Sequence, residues 1–447
     1  MNTKEINENI AKLAQKLRIN GPLTSLELMA VAKVSQPQLS RYLKLMGEQV
    51  LKVGRGKRTQ YLHTREIPQI GIKTTIFRVT QKGNLEKKGM LYPVYPKGFY
   101  WMSTIPEQSR LFDDLPYFFN DLRPSGFLGR LIPRMYVDWN FPEDIRFWTA
   151  ESTLRYLNNF AVDLVGDFVI GEIAARKFLQ TTLEGSSNPN ERTQIELYED
   201  LAREVEKHGI PGSSAGGEHP KFVTRRNADG VPVLVKFVAN SESTVTQRRI
   251  DLLWAEHLAT TLLSTPELLA STRVIVGEAF TFLEIERFDR IGNFGRRGVV
   301  SLLSLDAEHV GSGESWETVA QKLKGLNIID QVIVEHIQFR EYFGQCIGNT
   351  DMHGGNLSFF FEDEKVMGIT PIYDMLPMKY APVQERLSSE IVTITSPHPT
   401  AIAIWNRARD TAVLFWQQVQ QASGISVSFK KIAETNEARL KESRIEL

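Results

Sequence analysis

The stretch Asn349-Thr350-Asp351-Met352-His353-Gly354-Gly355-Asn356, with Tyr373-Asp374 beyond it, restricts the fold of this chain most. An Asp, a His and an Asn fall within six residues, and a second Asp returns after a short hairpin. Phe339 to Cys346 is an apolar run fit for a buried helix. Leu357-Ser358-Phe359-Phe360-Phe361 and Met367-Gly368-Ile369-Thr370-Pro371-Ile372 read as two strands around Glu362-Asp363-Glu364-Lys365. Asp351 and Asn356 are therefore expected on a loop entering a strand, with Asp374 just past the next one. Phosphoryl transfer from ATP uses such a set. One carboxylate orients or deprotonates the accepting hydroxyl, while an Asn and a second carboxylate hold Mg²⁺ against the phosphates. An Asx-rich turn is the competing reading, because Asn, Asp and Gly form turns anyway.

The 447 residues allow two or three domains and a large core. The single cysteine, Cys346, excludes an internal disulfide and cannot by itself build a zinc site. No apolar run reaches the length of a membrane span and the N-terminus lacks a signal-peptide core, so a cytoplasmic protein without membrane contact is expected. Lys+Arg and Asp+Glu are both 53, a balance that hides an asymmetry. Residues 1–65 hold twelve Lys/Arg against four Asp/Glu, which leaves the rest of the chain acidic.

Within that basic segment, Ile6, Ile10, Leu13 and Leu17 mark a helical stripe that ends at Gly21-Pro22. Thr24 or Ser25 caps a second helix, and Pro37 suits the start of a third running to Met46. Val50 to Leu62 makes a hairpin with a basic tip. This order resembles a winged helix-turn-helix. Its third helix offers Gln36, Gln38, Ser40, Arg41 and Lys44 to a major groove, and the wing offers Arg55, Lys57 and Arg58 to phosphates of double-stranded DNA. A small helical module docking on protein is the alternative. Ile70 to Val79 and Met90 to Tyr100 have strand-like content, and Leu154 to Leu179 reads as two helices parted near Gly166-Asp167.

Further on, Ser213-Ser214-Ala215-Gly216-Gly217-Glu218-His219-Pro220-Lys221 is a small-residue loop in which backbone N–H groups can approach phosphate oxygens. It is not a Walker loop, and such a loop alone is more often a plain connector. The apolar strand Val233 to Val238 then carries one lysine, Lys236, which is costly to bury unless paired. Glu256, on the helix that follows, either reaches Lys236 or faces solvent. Lys236 itself reads either as a phosphate-holding lysine or as an edge-strand lysine. Thr281 to Glu286 alternates like a strand and ends in Arg287-Phe288-Asp289-Arg290, whose arginines equally suit structural ion pairs.

Together these motifs resemble the HipA family of bacterial serine/threonine kinases, toxins of type II toxin–antitoxin systems, over roughly residues 70–440. The likeness is greatest to the YjjJ-type branch, which carries a helix-turn-helix on the same chain. The resemblance implies ATP and Mg²⁺ as cofactors and Asp351 as the catalytic residue. By the same resemblance, Gly216, Gly217, Glu218, His219, Pro220 and Lys221 cover the phosphates, and Lys236 holds them. Glu286, Arg287 and Phe288 line the hinge beside adenine. His353, Gly354, Gly355, Asn356, Tyr373 and Asp374 contact nucleotide, with Asn356 and Asp374 on the metal. Ser214 falls where the family has an inhibitory autophosphorylated serine, with Ser213 next to it as a rival. Growth-inhibiting members act on aminoacyl-tRNA synthetases. The built-in head means that a separate antitoxin is not carried over.

The expected architecture is α+β: a bilobal HipA-like protein-kinase fold behind an N-terminal winged helix-turn-helix. Its expected units are a winged head (1–66), a β-rich subdomain (67–155), a nucleotide-binding region (156–300) and a helical lobe with the catalytic loop (301–447). Two rival functions share this outline: a DNA-binding regulator whose body binds a nucleotide or small-molecule effector, and a small-molecule kinase.

Overall fold

The computed structural model describes residues 3–184, 193–208, 219–395 and 397–445. Helices Thr3–Asn20, Ser25–Ala32 and Gln36–Met46 precede strands Val50–Val53 and Gln60–His63, and the short strand Leu23–Thr24 completes a three-stranded sheet. This is the element order of a winged helix. Thr24 and Glu27 form a reciprocal cap on the second helix. The head is not free of the body. Val53 and Leu62 of the wing share a core with Val94 and Tyr100, and the Tyr95 N–H donates to the His63 carbonyl (2.9 Å).

The next sheet has five antiparallel strands: Arg110–Phe112, Phe99–Ser103, Leu85–Pro93, Thr74–Val79 and Phe168–Ile170, in that order. The last of these pairs Ile76 with Ile170, and helix Glu172–Glu184 packs beside it through Ala174, Ala175 and Phe178. The middle unit therefore runs well past the boundary expected at residue 155. Val169 and Ile170, read from sequence as helical, are strand residues.

A four-stranded antiparallel sheet follows, ordered Thr272–Val276, Phe280–Glu286, Pro232–Ala239, Lys221–Arg225. Alternation along Pro232–Ala239 decides what each side chain meets. Val233, Val235 and Phe237 pack with Phe222, Phe280 and Phe282, whereas Val238 packs with Leu253 of helix Thr244–Leu263. Lys236 has the parity of Val238, so it points to the helix that carries Glu256.

The remaining lobe combines helices Leu302–His309, Trp316–Gly325, Gln331–Ile347, Ile402–Gln421 and Val427–Glu442 with a small sheet ordered Val299–Ser301, Ser358–Glu362, Lys365–Ile369. Val299 pairs with Phe360, so the boundary expected at 300 falls inside one strand of this sheet. Phe343, Trp405, Phe415 and Trp416 lie in its core. Among the described residues, no helix is long and apolar enough to cross a membrane.

Candidate functional site

Helix Gln331–Ile347 ends at Gly348, whose φ of +78° turns the chain out of the helix. A Cβ there would also lie 2.8 Å from Val392 Cγ2, so glycine is required twice over. The released loop is fixed by its own polar groups. Asn349 Oδ1 accepts from the Asp351 N–H (3.1 Å), and Asn356 Nδ2 donates to the Asp351 carbonyl (2.8 Å). The Asp351 side chain is left exposed. His353 Nδ1 accepts from the Gly355 N–H (3.0 Å), so this imidazole shapes the turn. Trp316 Nε1 pins the His353 carbonyl at 3.0 Å.

Tyr373 ties the second stretch to the first. Its hydroxyl donates to the Gly355 carbonyl (2.8 Å) and lies 2.6 Å from the Ser358 hydroxyl. Asp374 follows at once with φ +50°, a left-handed conformation that Asp tolerates better than most residues. Asn349 Nδ2 reaches toward the Asp374 carbonyl at 3.5 Å, the outer limit for such a bond.

The two lobes meet at Lys236. It is 4% exposed on an inner strand, which removes the edge-strand reading, and its Nζ donates to both oxygens of Glu256 at 2.7 Å. The same Nζ is ion-paired with Asp374. One ammonium therefore bonds two carboxylates, and Lys221 adds a second positive charge that acts on both. Burial raises the Glu256 carboxyl above the usual range and Lys236 offsets only part of this. For Asp374 burial also acts upward, but Lys236 and Lys221 outweigh it and hold the carboxyl below the usual range. Burial, then Lys236 and Lys221, depress His219 to about 3, so its ring is neutral. Its Nε2 is buried without a hydrogen-bond partner among the described residues.

That donor set fits a nucleotide with Mg²⁺. Asn356 and Asp374 supply oxygen donors of the kind Mg²⁺ prefers. Asp374 keeps 34% of its side-chain surface in solvent, and His219 Nε2 offers an unanswered polar atom among the described residues.

At the hinge, the backbone N–H groups of Glu286 and Arg287 are spent on the Ser271 and Pro232 carbonyls (2.9 and 3.1 Å). Glu286 is ion-paired to Arg226 at 2.8 Å. The Arg287 guanidinium contacts Asp163 (2.9 Å), Asp289 (3.0 Å) and the Leu164 carbonyl (3.0 Å), a structural role. Phe288 alone turns toward the site, its ring 5.8 Å from that of Tyr373. Pro220 lies beside the lysine strand, its carbonyl accepting from the Phe237 N–H (3.0 Å), and Lys221 pairs in register with Lys236. Ser213, Ser214, Gly216, Gly217 and Glu218 lie outside the described residues.

In the head, Gln36, Ser40, Arg41, Lys44, Arg55, Lys57 and Arg58 are exposed. Gln38, of the expected groove-facing set, is half-buried. Its Oε1 accepts from the Ser35 N–H (2.9 Å) and hydroxyl (3.0 Å), closing a capping box. Sequence reading also passed over Asn349, Ser358 and Trp316 as individual site residues. Ser-x-x-Gln was readable as a cap; the other three depend on contacts between distant segments.

The family described as YjjJ-like toxin, middle domain, matches residues 70–179, and the family described as HipA-like C-terminal domain matches residues 213–443. Toxin YjjJ of Escherichia coli (strain K12) is 33% identical over 425 residues, spanning 94% of this chain and 95% of that protein. A chain of the Shewanella oneidensis MR-1 toxin–antitoxin complex of HipA, HipB and operator DNA shares the fold. It aligns with a TM-score of 0.55 at 15% identity, over 83% of this chain and all of that one. The chain belongs to the HipA-like toxin family, in its YjjJ-like group.

Proposed function

We propose that this protein is a cytoplasmic, ATP- and Mg²⁺-dependent serine/threonine protein kinase whose winged head binds double-stranded DNA. The observation that carries the reading is the Lys236 ammonium, shared between Glu256 of its own lobe and Asp374 of the other. A kinase sets such a strand lysine, paired with a helix Glu, on the α- and β-phosphates, and a carboxylate placed like Asp374 on Mg²⁺. In this reading Lys236 grips the phosphates, Phe288 and Tyr373 flank the base, and Asp351 orients the acceptor hydroxyl and takes its proton. Mg²⁺ bound with the nucleotide supplies charge neutralisation, with Asn356 and Asp374 as its proposed holders. Ser214 is the proposed autophosphorylation site, where a phosphate would bring close to two negative charges into a loop meant for ATP.

The structural neighbour from Shewanella is a complex with HipB and operator DNA. Here the exposed Arg41, Lys44 and wing cations support DNA contact by the chain's own head. The protein acceptor is expected among aminoacyl-tRNA synthetases by family resemblance. Incubation with γ-³²P-ATP and Mg²⁺ tests the enzyme reading. Wild type should label itself or an added protein, and Asp351→Gln should lose about 10²–10⁴ of that rate with an unchanged circular dichroism spectrum. Undiminished labelling by the variant would refute the role of Asp351. Label found only on small molecules would refute the protein-kinase assignment.

A further inference from the structure

Away from the cleft, a cavity of about 530 Å³ lies where helix Thr244–Leu263, the segment after Asp374 and the start of helix Val427–Glu442 meet. Its lining includes two cations, Arg248 and Lys431, and no carboxylate. Ser428 and Thr435 add hydroxyls, and Ile391 and Val427 add exposed apolar surface. Arg248 is 4% exposed, and its Nε is buried without a hydrogen-bond acceptor among the described residues.

The nearest acid, Asp251, stands 3.9 Å from that nitrogen. Asp251 is already engaged by the Ser426 N–H (2.8 Å) and hydroxyl (2.7 Å) and by Gln247 (3.2 Å). Among the described residues, Arg248 Nη1 reaches the Tyr380 and Ser388 carbonyls, at 3.3 and 3.1 Å. The Phe429 ring, 5.0 Å away, holds the guanidinium in place. A buried guanidinium whose recorded carboxylate lies at 3.9 Å, beyond hydrogen-bonding distance, is costly. Val427 and Ser428 also open their helix, so its positive end adds to the field at the cavity.

We infer that this cavity binds a small organic phosphate monoester. Its phosphate group meets Arg248 at the floor and Lys431 with Ser428 at the rim, and its organic body lies along Ile391 and Val427. Phosphate suits a donor-rich, acid-free lining because its oxygens accept from several donors at once. The volume is that of a small-molecule site. Arg248 stands on the helix that presents Glu256 to Lys236, and it bonds the segment running on from Asp374. Occupancy should therefore also change nucleotide affinity. That consequence rests on the kinase reading, whereas the binding does not.

Isothermal titration of the full chain with glucose 6-phosphate, glycerol 3-phosphate and inorganic phosphate, with glucose as neutral control, tests the site. At least one ester should bind one-to-one with Kd of about a millimolar or tighter. Inorganic phosphate should bind more weakly and glucose not at all. The double variant Ser428→Ala/Lys431→Ala, changed only at exposed positions, should weaken ester binding about tenfold or more. Arg248→Gln should do the same; if it fails to fold, the rim variant decides. Lys236→Met should leave the affinity unchanged. No saturable binding by any ester would overturn the inference, as would affinity untouched by the rim changes or lost with Lys236. Equal affinity for inorganic phosphate would overturn the ester assignment.

Discussion

Arg287, Asp289 and Arg290, with Asp163 at their solvent edge, form one charge cluster of the molecule; Lys236, Glu256 and Asp374 form another. In the first, two guanidiniums face two carboxylates. Asp289 accepts from both arginines and from the Gly166 N–H (2.8 Å), and the arginines spend further donors on the Leu164 and Gly166 carbonyls. In the second, the Lys236 ammonium is bonded to two carboxylates with Lys221 adding its charge, and His219 Nε2 nearby has no partner among the described residues. The first satisfies Asp289 and ties the Arg287–Arg290 segment to residues 163–166, which is a holding role. The second leaves a buried imidazole nitrogen unanswered and Asp374 partly in solvent, which is the condition for taking up a ligand.

Asp289→Ala is the most forceful way to break this contrast. It leaves two buried guanidiniums to share Asp163 alone, at the solvent edge, so stability should fall by about 3–5 kcal/mol, measured by urea unfolding. A loss below about 1 kcal/mol would mean that the cluster is not what fixes the hinge.

Lys236→Met sharpens it from the other side. Removing a preorganised cation from the phosphates should reduce transfer about 10²–10³-fold, or about 3–4 kcal/mol. The fold should survive, because the remaining carboxylates have outlets. Asp374 keeps 34% of its side-chain surface in solvent, and Glu256, already raised by burial, can take up a proton. A variant that unfolds as readily as Asp289→Ala would erase the distinction between the clusters. One that labels at the wild-type rate would separate Lys236 from catalysis.

These clusters were unequally legible in the sequence. Lys236 announced itself as a lone charge in an apolar strand, and the Asp351 loop as a density of Asx residues before a strand. Glu256 was one of several ionisable residues on a helix whose buried face also includes Arg248 and Asp251, so only the three-dimensional register singles it out. The arginines after Glu286 were read as either hinge or ion pair. Their partner Asp163 is more than a hundred residues earlier, a distance that no local pattern encodes. The middle-unit boundary was misjudged for a similar reason. Phe168–Ile170 has three residues, too few for a period, and is a strand only because Thr74–Val79 lies beside it.

Glu341 offers an intermediate case, a buried acid with no cation among its recorded contacts. Its carboxylate accepts from the Glu317 N–H at 2.6 Å, next to the Trp316 that pins the His353 carbonyl. Burial, with Glu317 adding like charge, pushes it up to about 7 from 4.5. Because the folded value is the higher one, the stabilisation is complete at pH below 4.5 and is lost as pH rises through about 7. Wild type should therefore lose about 2–3 kcal/mol between roughly pH 4 and pH 8 from this group. Glu341→Gln, which keeps an acceptor for the N–H, should remove that slope and be the more stable protein at the alkaline end. Parallel melting-temperature profiles for the two proteins would assign the pH dependence elsewhere.

The smallest effect belongs to the wing, where charge is exposed and neither cluster's logic applies. Lys57 sits on the wing tip in the short turn Gly56–Arg58 and is solvent-exposed. Truncating such a residue should leave stability within about 0.5 kcal/mol. Its contribution on DNA is counterion release, which makes it visible in salt dependence before affinity at any one salt. Lys57→Ala should lower the slope of log K against log salt by about 1, with little change in sequence preference. Fluorescence anisotropy on a labelled duplex across a salt series measures this. A slope equal to that of wild type would remove Lys57 from the interface and leave Arg41 and Lys44 of the third helix as the cations to test. An altered slope accompanied by a changed rate of phosphoryl transfer would show that head and cleft communicate, an outcome that the separation of exposed from buried charge argues against.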